Sequence, residues 1–168
     1  MASPTAAAKA AAKLNPVVAS NRRARHDYEI LSEFECGIVL AGSEVKSLRD
    51  GKAVLNDAYA RIDNGEMWIY SLHIPPWQYS HGFGSVVDNT RQRKLLMHKS
   101  DIERLGHRVA LERLQLIPLR VYFVNGRAKV EIALARGRNK GDKRQAMADR
   151  DSKREIDRAL GRRNKGMD

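Results

Sequence analysis

Two Asn-Gly dipeptides, at residues 64–65 and 125–126, are the features that most constrain the fold of this chain. Asn and Gly both tolerate the positive φ angles that two-residue hairpin turns require. The first dipeptide separates the β-type runs AYARI and MWIYSLHI, and the second lies inside PLRVYFVNGRAKVEIAL. Two antiparallel hairpins are therefore predicted, with Val121 and Phe123 facing Val130 and Ile132 across the second turn.

Other local patterns predict a strand pair over residues 28–40 and two short helices. Ser43 is a candidate N-cap and Gly51 a candidate stop for the first helix. Ser100 and Glu103 have capping-box spacing before the second helix, which we expect Gly106 to break or bend. Many short strands with few helices predict a mainly β fold, an OB-like antiparallel barrel followed by a basic tail.

The distribution of charge divides the chain into three segments. Residues 1–25 hold five Lys/Arg and no acid, residues 26–135 hold fourteen of each sign, and residues 136–168 hold twelve Lys/Arg against six acids. We predict a flexible arm over residues 1–20, an OB-like RNA-binding body over 21–135 and a basic tail over the remainder. Basic ends on a neutral body favour a polyanionic partner over the alternative that they serve solubility alone.

The basic tail repeats arginine every fourth residue, at Arg150, Arg154, Arg158 and Arg162. In a helix these side chains would form one slowly drifting column. The apolar residues Met147 and Ile156 are too far apart to form a stripe that could dock on the body. We therefore predict a tail that is disordered when free and helical against RNA.

Several chemistries find no support in the sequence. Cys36 is the single cysteine, so it predicts neither an internal disulfide nor a metal site and is expected to be a small core residue. The chain contains no GxxxxGK[ST], HExxH or GxSxG motif. No apolar run approaches the ~20 residues that cross a bilayer. We therefore expect no cofactor, metal or membrane partner, and a cytoplasmic protein. The acid-free N-terminus resembles an organelle transit peptide but favours a disordered basic arm.

Two alternatives to simple RNA binding remain open. His26 or His98 could act in acid–base cleavage of RNA, which would make the protein a small ribonuclease. A ribosomal protein or assembly factor, with its tails threaded through rRNA, is also compatible with the charge. Within the body, Glu33 and Glu35 could accept hydrogen bonds from base amino groups, although an ion pair with a nearby arginine is the preferred interpretation.

Five segments in order, NRRARHDY, GIVLAGSEVKSLRDGKA, TRQRKLLMHK, VNGRAKVEIALARG and DKR, closely resemble the SmpB family, the SsrA-binding proteins of bacterial ribosome rescue. The resemblance extends from Asn21 to Leu160. It implies an OB-like barrel that binds the tRNA-like domain of transfer-messenger RNA (SsrA RNA), and a tail that enters the empty mRNA path of a stalled ribosome at the decoding centre. It further implies a monomeric adaptor for trans-translation with no catalytic step, which meets elongation factor Tu only indirectly through the aminoacylated RNA.

The resemblance also assigns roles to individual positions. Those matched to RNA binding are Asn21, Arg22, Arg23, Arg25, His26, Tyr28, Glu35, Lys46, Arg49, Lys52, Arg91, Arg93, Lys94 and Leu95. Those matched to the ribosomal tail are Arg136, Gly137, Lys140, Asp142, Lys143, Arg144, Arg150, Arg154, Arg158 and Leu160. Glu44 and Gly51 are expected to be structural, with Glu44 holding Lys46 or Arg49 in place. Gly141, Ser152 and Asn89 depart from the family pattern.

Overall fold

The computed structural model describes residues 17–79 and 88–165, which form seven strands and four helices. The strands are β1 (Val17–Ser20), β2 (Tyr28–Ile38), β3 (Tyr59–Asp63), β4 (Glu66–Tyr70), β5 (Arg93–Leu96), β6 (Gln115–Val124) and β7 (Arg127–Gly137). The helices are α1 (Ala24–Asp27), α2 (Gly42–Arg49), α3 (Lys99–Glu112) and α4 (Lys140–Lys165).

Among the described residues, six strands close into an antiparallel ring in the order β6-β3-β4-β5-β2-β7, with β7 pairing back to β6. The ring is uneven. β2 and β6 pair with β7 along most of their length, whereas β2 pairs with β5 only at Gly37 and Ile38, and β3 pairs with β6 only at Ala60. This architecture confirms the predicted mainly β, OB-like fold. It also leaves a gap between the first part of β2 and α3.

Both predicted hairpin turns are present. Asn64 and Gly65 have φ angles of 52° and 74°, and Asn125 and Gly126 have φ angles of 49° and 76°. Positive φ at both central residues is the condition for a type I′ turn, which matches the twist of the flanking strands. The Asn-Gly dipeptides therefore fix where β3 meets β4 and where β6 meets β7.

The pairing across the second hairpin agrees with the prediction only in part. Val121 lies opposite Val130, as expected. Phe123, however, lies opposite Ala128. Ile132 lies opposite Pro118, on the far side of a register shift between Pro118 and Arg120. The two-residue turn sets the position of Phe123, since the pairing is regular from Val124 opposite Arg127 to Arg120 opposite Glu131. The bulge between Pro118 and Arg120 changes the register only beyond that point.

The barrel interior is apolar and includes Cys36, which is buried on β2 as predicted. Burial raises the pKa of the Cys36 thiol to about 12, so this group is neutral under ordinary conditions. A second, smaller apolar cluster lies outside the ring, where Ala24 of α1 and the partly buried Tyr28 cover Leu119 and Ala133. Thus α1 and the start of β2 protect the outer face of the β6–β7 hairpin.

The N-caps of α2 and α3 differ from the predicted ones. The N-cap of α2 is Ala41 rather than Ser43, because the Glu44 carboxylate accepts a hydrogen bond from the Ala41 N–H at 2.9 Å. Gly51, with φ of 74°, follows the last turn of α2 and confirms the predicted stop. For α3 the N-cap is His98 rather than Ser100.

Gly106 neither breaks nor ends α3, so the prediction of a break was wrong. A Cβ at this position would lie 3.7 Å from Ile62 Cδ1, which shows how closely the helix approaches β3 here. Ile102 and Leu105 bury the same helix against the barrel core. Their burial outweighs the cost of one helical glycine, which is about 1 kcal/mol.

The N- and C-terminal segments also differ from the predicted boundaries. Residues 17–20 of the predicted flexible arm form β1 and pair with β6, whereas residues 1–16 lie outside the described part of the chain. The predicted strand pair over residues 28–40 is one continuous strand, β2. The tail is helical from Lys140 to Lys165, and its ordering only against RNA stays a prediction. No helix among residues 17–79 and 88–165 has both the length and the apolar composition needed to cross a membrane.

Candidate nucleic-acid interface

A buried carboxylate anchors α2 to the barrel. The Glu44 side chain is only 3% exposed, and it accepts hydrogen bonds from Arg93 Nε at 2.8 Å and from Arg91 at 2.7 and 3.1 Å. Burial by itself raises the pKa of Glu44, but the hydrogen bonds from Arg91 and Arg93 outweigh it and hold the pKa below its ordinary value. The partners of Glu44 are therefore on β5 and the turn before it rather than Lys46 or Arg49, and this buried network supports a structural role for Glu44.

Two residues assigned to RNA binding on β5 lie inside the protein. The Arg93 side chain is fully buried and also donates to the carbonyl oxygens of Leu72 at 2.7 Å and Asn89 at 3.0 Å. Leu95 is 1% exposed and packs in the core. Neither side chain can touch a ligand in this conformation, so the structure gives both a role in holding the barrel together.

The three cations of the α2 segment have the opposite environment. Lys46, Arg49 and Lys52 are exposed, and in the described ranges none of them is ion-paired with a carboxylate. Lys46 Nζ lies 4.4 Å from the centroid of the Trp77 ring, and the Arg49 guanidinium carbon lies 5.9 Å from that of Phe123. These are cation–π contacts, which orient a cation without neutralising it. The α2 end of the barrel therefore presents uncompensated positive charge.

Several cations on the sheet or next to it are paired with acids. Arg25 contacts Glu33 at 2.6 Å, and Lys129 Nζ lies 3.9 Å from the Glu35 carboxylate. Lys94 likewise pairs with a carboxylate on β4. The interpretation of Glu33 and Glu35 as ion-pair partners agrees with this geometry.

Glu35 also accepts a hydrogen bond from the Tyr122 hydroxyl. Burial, followed by this bond to a carboxylate, raises the pKa of Tyr122. The hydroxyl thus remains a donor and fixes the orientation of Glu35.

The gap between β2 and α3 forms a groove of about 790 Å³. Its apolar lining includes Phe34, Leu96 and Met97, and Glu35 and Lys129 lie among its charged residues. Leu96 is 51% exposed, in contrast to the buried residue before it. Sequence reasoning missed Leu96 and Lys129 as candidate site residues. Alternation along β5 puts Leu95 and Leu96 on opposite faces but does not show which of them faces outward.

The basic segment before β2 contains one structural residue and several exposed cations. Asn21 is buried: its Oδ1 accepts from the Ala24 N–H at 3.1 Å and its Nδ2 donates to the Pro118 carbonyl at 3.4 Å. It therefore holds the α1 turn against β6. Arg22 and Arg23 are exposed on the same turn.

Contacts with α1 connect the tail to the body. The Asp27 carboxylate lies 2.9 Å from His26 Nδ1 and 3.2 Å from Lys143 Nζ. The hydrogen bond from His26, and then that from Lys143, lowers the pKa of Asp27. Further along the helix, Arg150 donates to the Arg25 carbonyl at 2.9 Å. We call this set of contacts, made by Arg25, Asp27, Lys143 and Arg150, the tail latch.

The remaining tail positions lie before, between and after the latch residues of α4. Gly137 pairs with Tyr28 at the end of β7, directly after the exposed Arg136. Lys140 begins α4, and Asp142 accepts from the Asn139 N–H at 3.3 Å. The other tail positions that the sequence assigned are exposed on α4, namely Arg144, Arg154, Arg158 and Leu160.

The two histidines considered for catalysis lie apart. His26 is on α1 beside Asp27, whereas His98 is the N-cap of α3 and lines the groove. Within the described ranges, no group of three His, Cys, Asp or Glu residues is arranged to hold a metal ion. Acid–base cleavage by either histidine stays an alternative that the cleavage assay below tests.

These features define a class: a small β-barrel protein with an unpaired cationic surface at one end and a long cationic helix leaving the other, as expected of an RNA-binding protein. The chain belongs to the SmpB family, since the family model described as SmpB protein matches residues 18–162. It is 54% identical over 153 residues to the SsrA-binding protein of Mycolicibacterium gilvum, which covers 91% of this chain and 92% of that one.

A second relative and a solved structure support the same family assignment. The SsrA-binding protein of Nocardia farcinica is 55% identical over 151 residues, covering 90% of this chain and 93% of the relative. A solved structure described as "tmRNA-SmpB: a journey to the center of the bacterial ribosome" superposes with a TM-score of 0.61 at 46% identity. That superposition covers 79% of this chain and 94% of the other.

Proposed function

We propose that this protein is an RNA-binding adaptor that binds the tRNA-like domain of transfer-messenger RNA and delivers it to stalled ribosomes for trans-translation. It acts in the cytosol and performs no catalytic step of its own. The SsrA-binding relatives and the superposition with a tmRNA–SmpB structure support this function. The observation that carries it for this chain is the uncompensated charge of Lys46 and Arg49, on a helix held to the barrel through Glu44, and of Lys52 just after that helix.

The body is proposed to grip the RNA with two neighbouring surfaces. The α2 cations contact phosphates, which gives affinity but no sequence readout. The groove offers Leu96 as an exposed apolar surface, with Glu35 and Lys129 beside it to bond base edges and phosphates. Folded RNA loops with unstacked bases are ligands that such a mixed groove fits better than a regular duplex does.

The tail is proposed to act in the ribosome rather than on transfer-messenger RNA. Its exposed arginines Arg144, Arg154 and Arg158 are suited to the phosphate-lined mRNA path of a stalled ribosome. The tail latch sets the direction in which the first turns of α4 leave the barrel. Aminoacylated transfer-messenger RNA then provides the indirect link to elongation factor Tu.

Sequencing the RNA that co-purifies with the full-length protein tests this proposal. We expect one small structured RNA to be strongly enriched over rRNA. A profile dominated by rRNA would contradict the proposal and favour a ribosomal protein or assembly factor. A companion assay with His26 and His98 both replaced by alanine should find no RNA cleavage to lose, because the adaptor has none.

A further inference from the structure

Two aromatic side chains beside α2 have no role in the proposed function so far. Trp77 is partly exposed and lies under the Lys46 ammonium group. Tyr79 is 66% exposed and packs against Trp77 with ring centroids 5.3 Å apart at an interplanar angle of 70°. Edge-to-face packing of this kind orients the ring, and the high exposure of Tyr79 leaves most of its surface accessible.

The segment that bears these rings is fixed to α2. The Ser47 hydroxyl, on the buried side of the helix, donates to the Pro75 carbonyl at 2.6 Å. The next residue, Pro76, has its φ restricted by its own ring, and the buried Ile74 donates its N–H to the Asn89 carbonyl at 3.0 Å. The position of Trp77 relative to Lys46 is therefore set by the fold rather than by a freely moving loop.

An exposed aromatic face beside an unpaired cation is the arrangement that binds single-stranded nucleotides, since the base stacks on the ring and the cation meets the phosphate. An acidic peptide would engage the cations but would leave the ring face unused. The cation–aromatic cluster of Lys46, Arg49, Trp77 and Tyr79 thus fits RNA with an unpaired base.

The direction of β2 indicates which RNA meets this cluster. The strand is 11 residues long, about 35 Å, with the tail leaving beside Tyr28 and α2 following Ile38. Under the proposed function the tail end faces the ribosomal decoding centre. The α2 end is then directed away from it, toward the RNA that the barrel carries.

We propose that Tyr79 stacks on an unpaired base of the tRNA-like domain, with Trp77 positioning the Tyr79 ring and Lys46 contacting the adjacent phosphate. This inference rests on the proposed function and adds a base-stacking site to it.

Binding of the full-length protein to the tRNA-like domain, measured over a series of salt concentrations, tests the inference. Tyr79→Leu should weaken binding about 5- to 150-fold, because one base stack is lost. The slope of log affinity against log salt should stay unchanged, since no phosphate contact is lost. Lys46→Ala should instead lower that slope by about 0.7. Tyr79→Phe, which keeps the ring, should bind as wild type does. Tyr59→Leu changes an exposed tyrosine on β3 and serves as the matched control with little expected effect.

Trp77 provides an independent readout. The chain has two tryptophans, so Trp68→Phe leaves Trp77 as the single fluorophore beside the proposed stack. RNA binding should change its emission, and Tyr79→Leu should reduce that change.

Tyr79→Leu binding within twofold of wild type, or weakened binding shared by Tyr79→Phe, would overturn the stacking site. If Tyr79→Leu weakens binding to the ribosome but not to the tRNA-like domain, the assignment of the stacking site to transfer-messenger RNA is overturned. If wild type itself does not prefer the tRNA-like domain over random RNA of equal length, the proposed function fails and the stacking site with it.

Discussion

At the scale of single residues, Glu44 determines whether the α2 surface exists at all. Its carboxylate forms ion pairs with the fully buried Arg93 and the partly exposed Arg91, and it also accepts a hydrogen bond from the Ala41 N–H at the start of α2. One side chain thus stabilises the helix that carries the exposed Lys46 and the strand beneath it. We therefore expect a substitution of Glu44 to lower the free energy of unfolding more than it lowers the affinity for RNA.

Glu44→Gln should lower the free energy of unfolding by about 3–5 kcal/mol, because it leaves Arg93 as a buried charge without a counter-charge. Urea denaturation measures this directly. Glu103→Gln, which changes an exposed carboxylate on α3, is the matched control and should alter stability by less than about 0.5 kcal/mol. Equal stability of the two variants would show that the Glu44 network contributes little.

The lowered pKa of Glu44 predicts how stability depends on pH. A carboxyl whose pKa is lower in the folded than in the unfolded state stabilises the protein fully above the unfolded value, about 4.3 for Glu. That contribution is lost as pH falls through the folded pKa. Unfolding measured from neutral to acidic pH should therefore show a smaller loss of stability for Glu44→Gln than for wild type. Parallel curves would contradict this assignment.

Leu95 and Leu96 show where residue-level inference from sequence was limited. Both positions follow basic residues in RQRKLL, and nothing in that pattern shows which leucine faces inward. The pairing of β5 with β2 and β4 decides it, and the buried residue is Leu95. The burial of Arg93 was equally unpredictable, since it depends on an acid 49 positions away in the chain.

At the scale of elements, α2 and α4 present cations in two different ways. The α2 cations Lys46 and Arg49 are oriented by aromatic rings, whereas the first turns of α4 are attached to α1 through Lys143 and Arg150. The first arrangement suits a fixed binding surface. The second suits an arm whose direction is set at its base.

Arg49→Ala should weaken binding of the full-length protein to the tRNA-like domain and lower its salt dependence by about 0.7 in log–log slope, as expected for one lost phosphate contact. Arg61→Ala removes an exposed arginine of β3 outside the α2 surface and is the matched control. A slope that stays the same in Arg49→Ala would mean that this side chain serves only to pack on Phe123.

The tail latch should restrain the first turns of α4. Asp27→Asn removes the charge that Lys143 contacts, so amide hydrogen exchange over residues 140–150 should become faster while RNA binding by the body stays the same. Asp149→Asn, an exposed change within α4, should leave exchange close to wild type. Equal exchange in both variants would indicate that the latch does not restrain the tail.

At the scale of the whole molecule, the sequence predicted the class of fold but not how the barrel closes. The Asn-Gly turns located two hairpins because turn chemistry is local. The uneven ring, the groove beside β2 and the pairing of residues 17–20 with β6 depend on contacts between distant segments, which periodicity does not encode. The charge count separates a balanced middle from basic ends. The structure adds that α2 follows the end of β2, whereas the tail leaves β7 beside the start of β2.

The central claim is that the barrel alone grips transfer-messenger RNA and that the tail acts only in the ribosome. Truncation before Asp142, compared with the full-length protein, tests it most directly in paired assays of RNA binding and of peptide tagging on stalled ribosomes. We predict nearly unchanged affinity for the tRNA-like domain together with loss of tagging. Loss of both activities in the truncated protein would contradict the claim, because the tail would then belong to the primary RNA site.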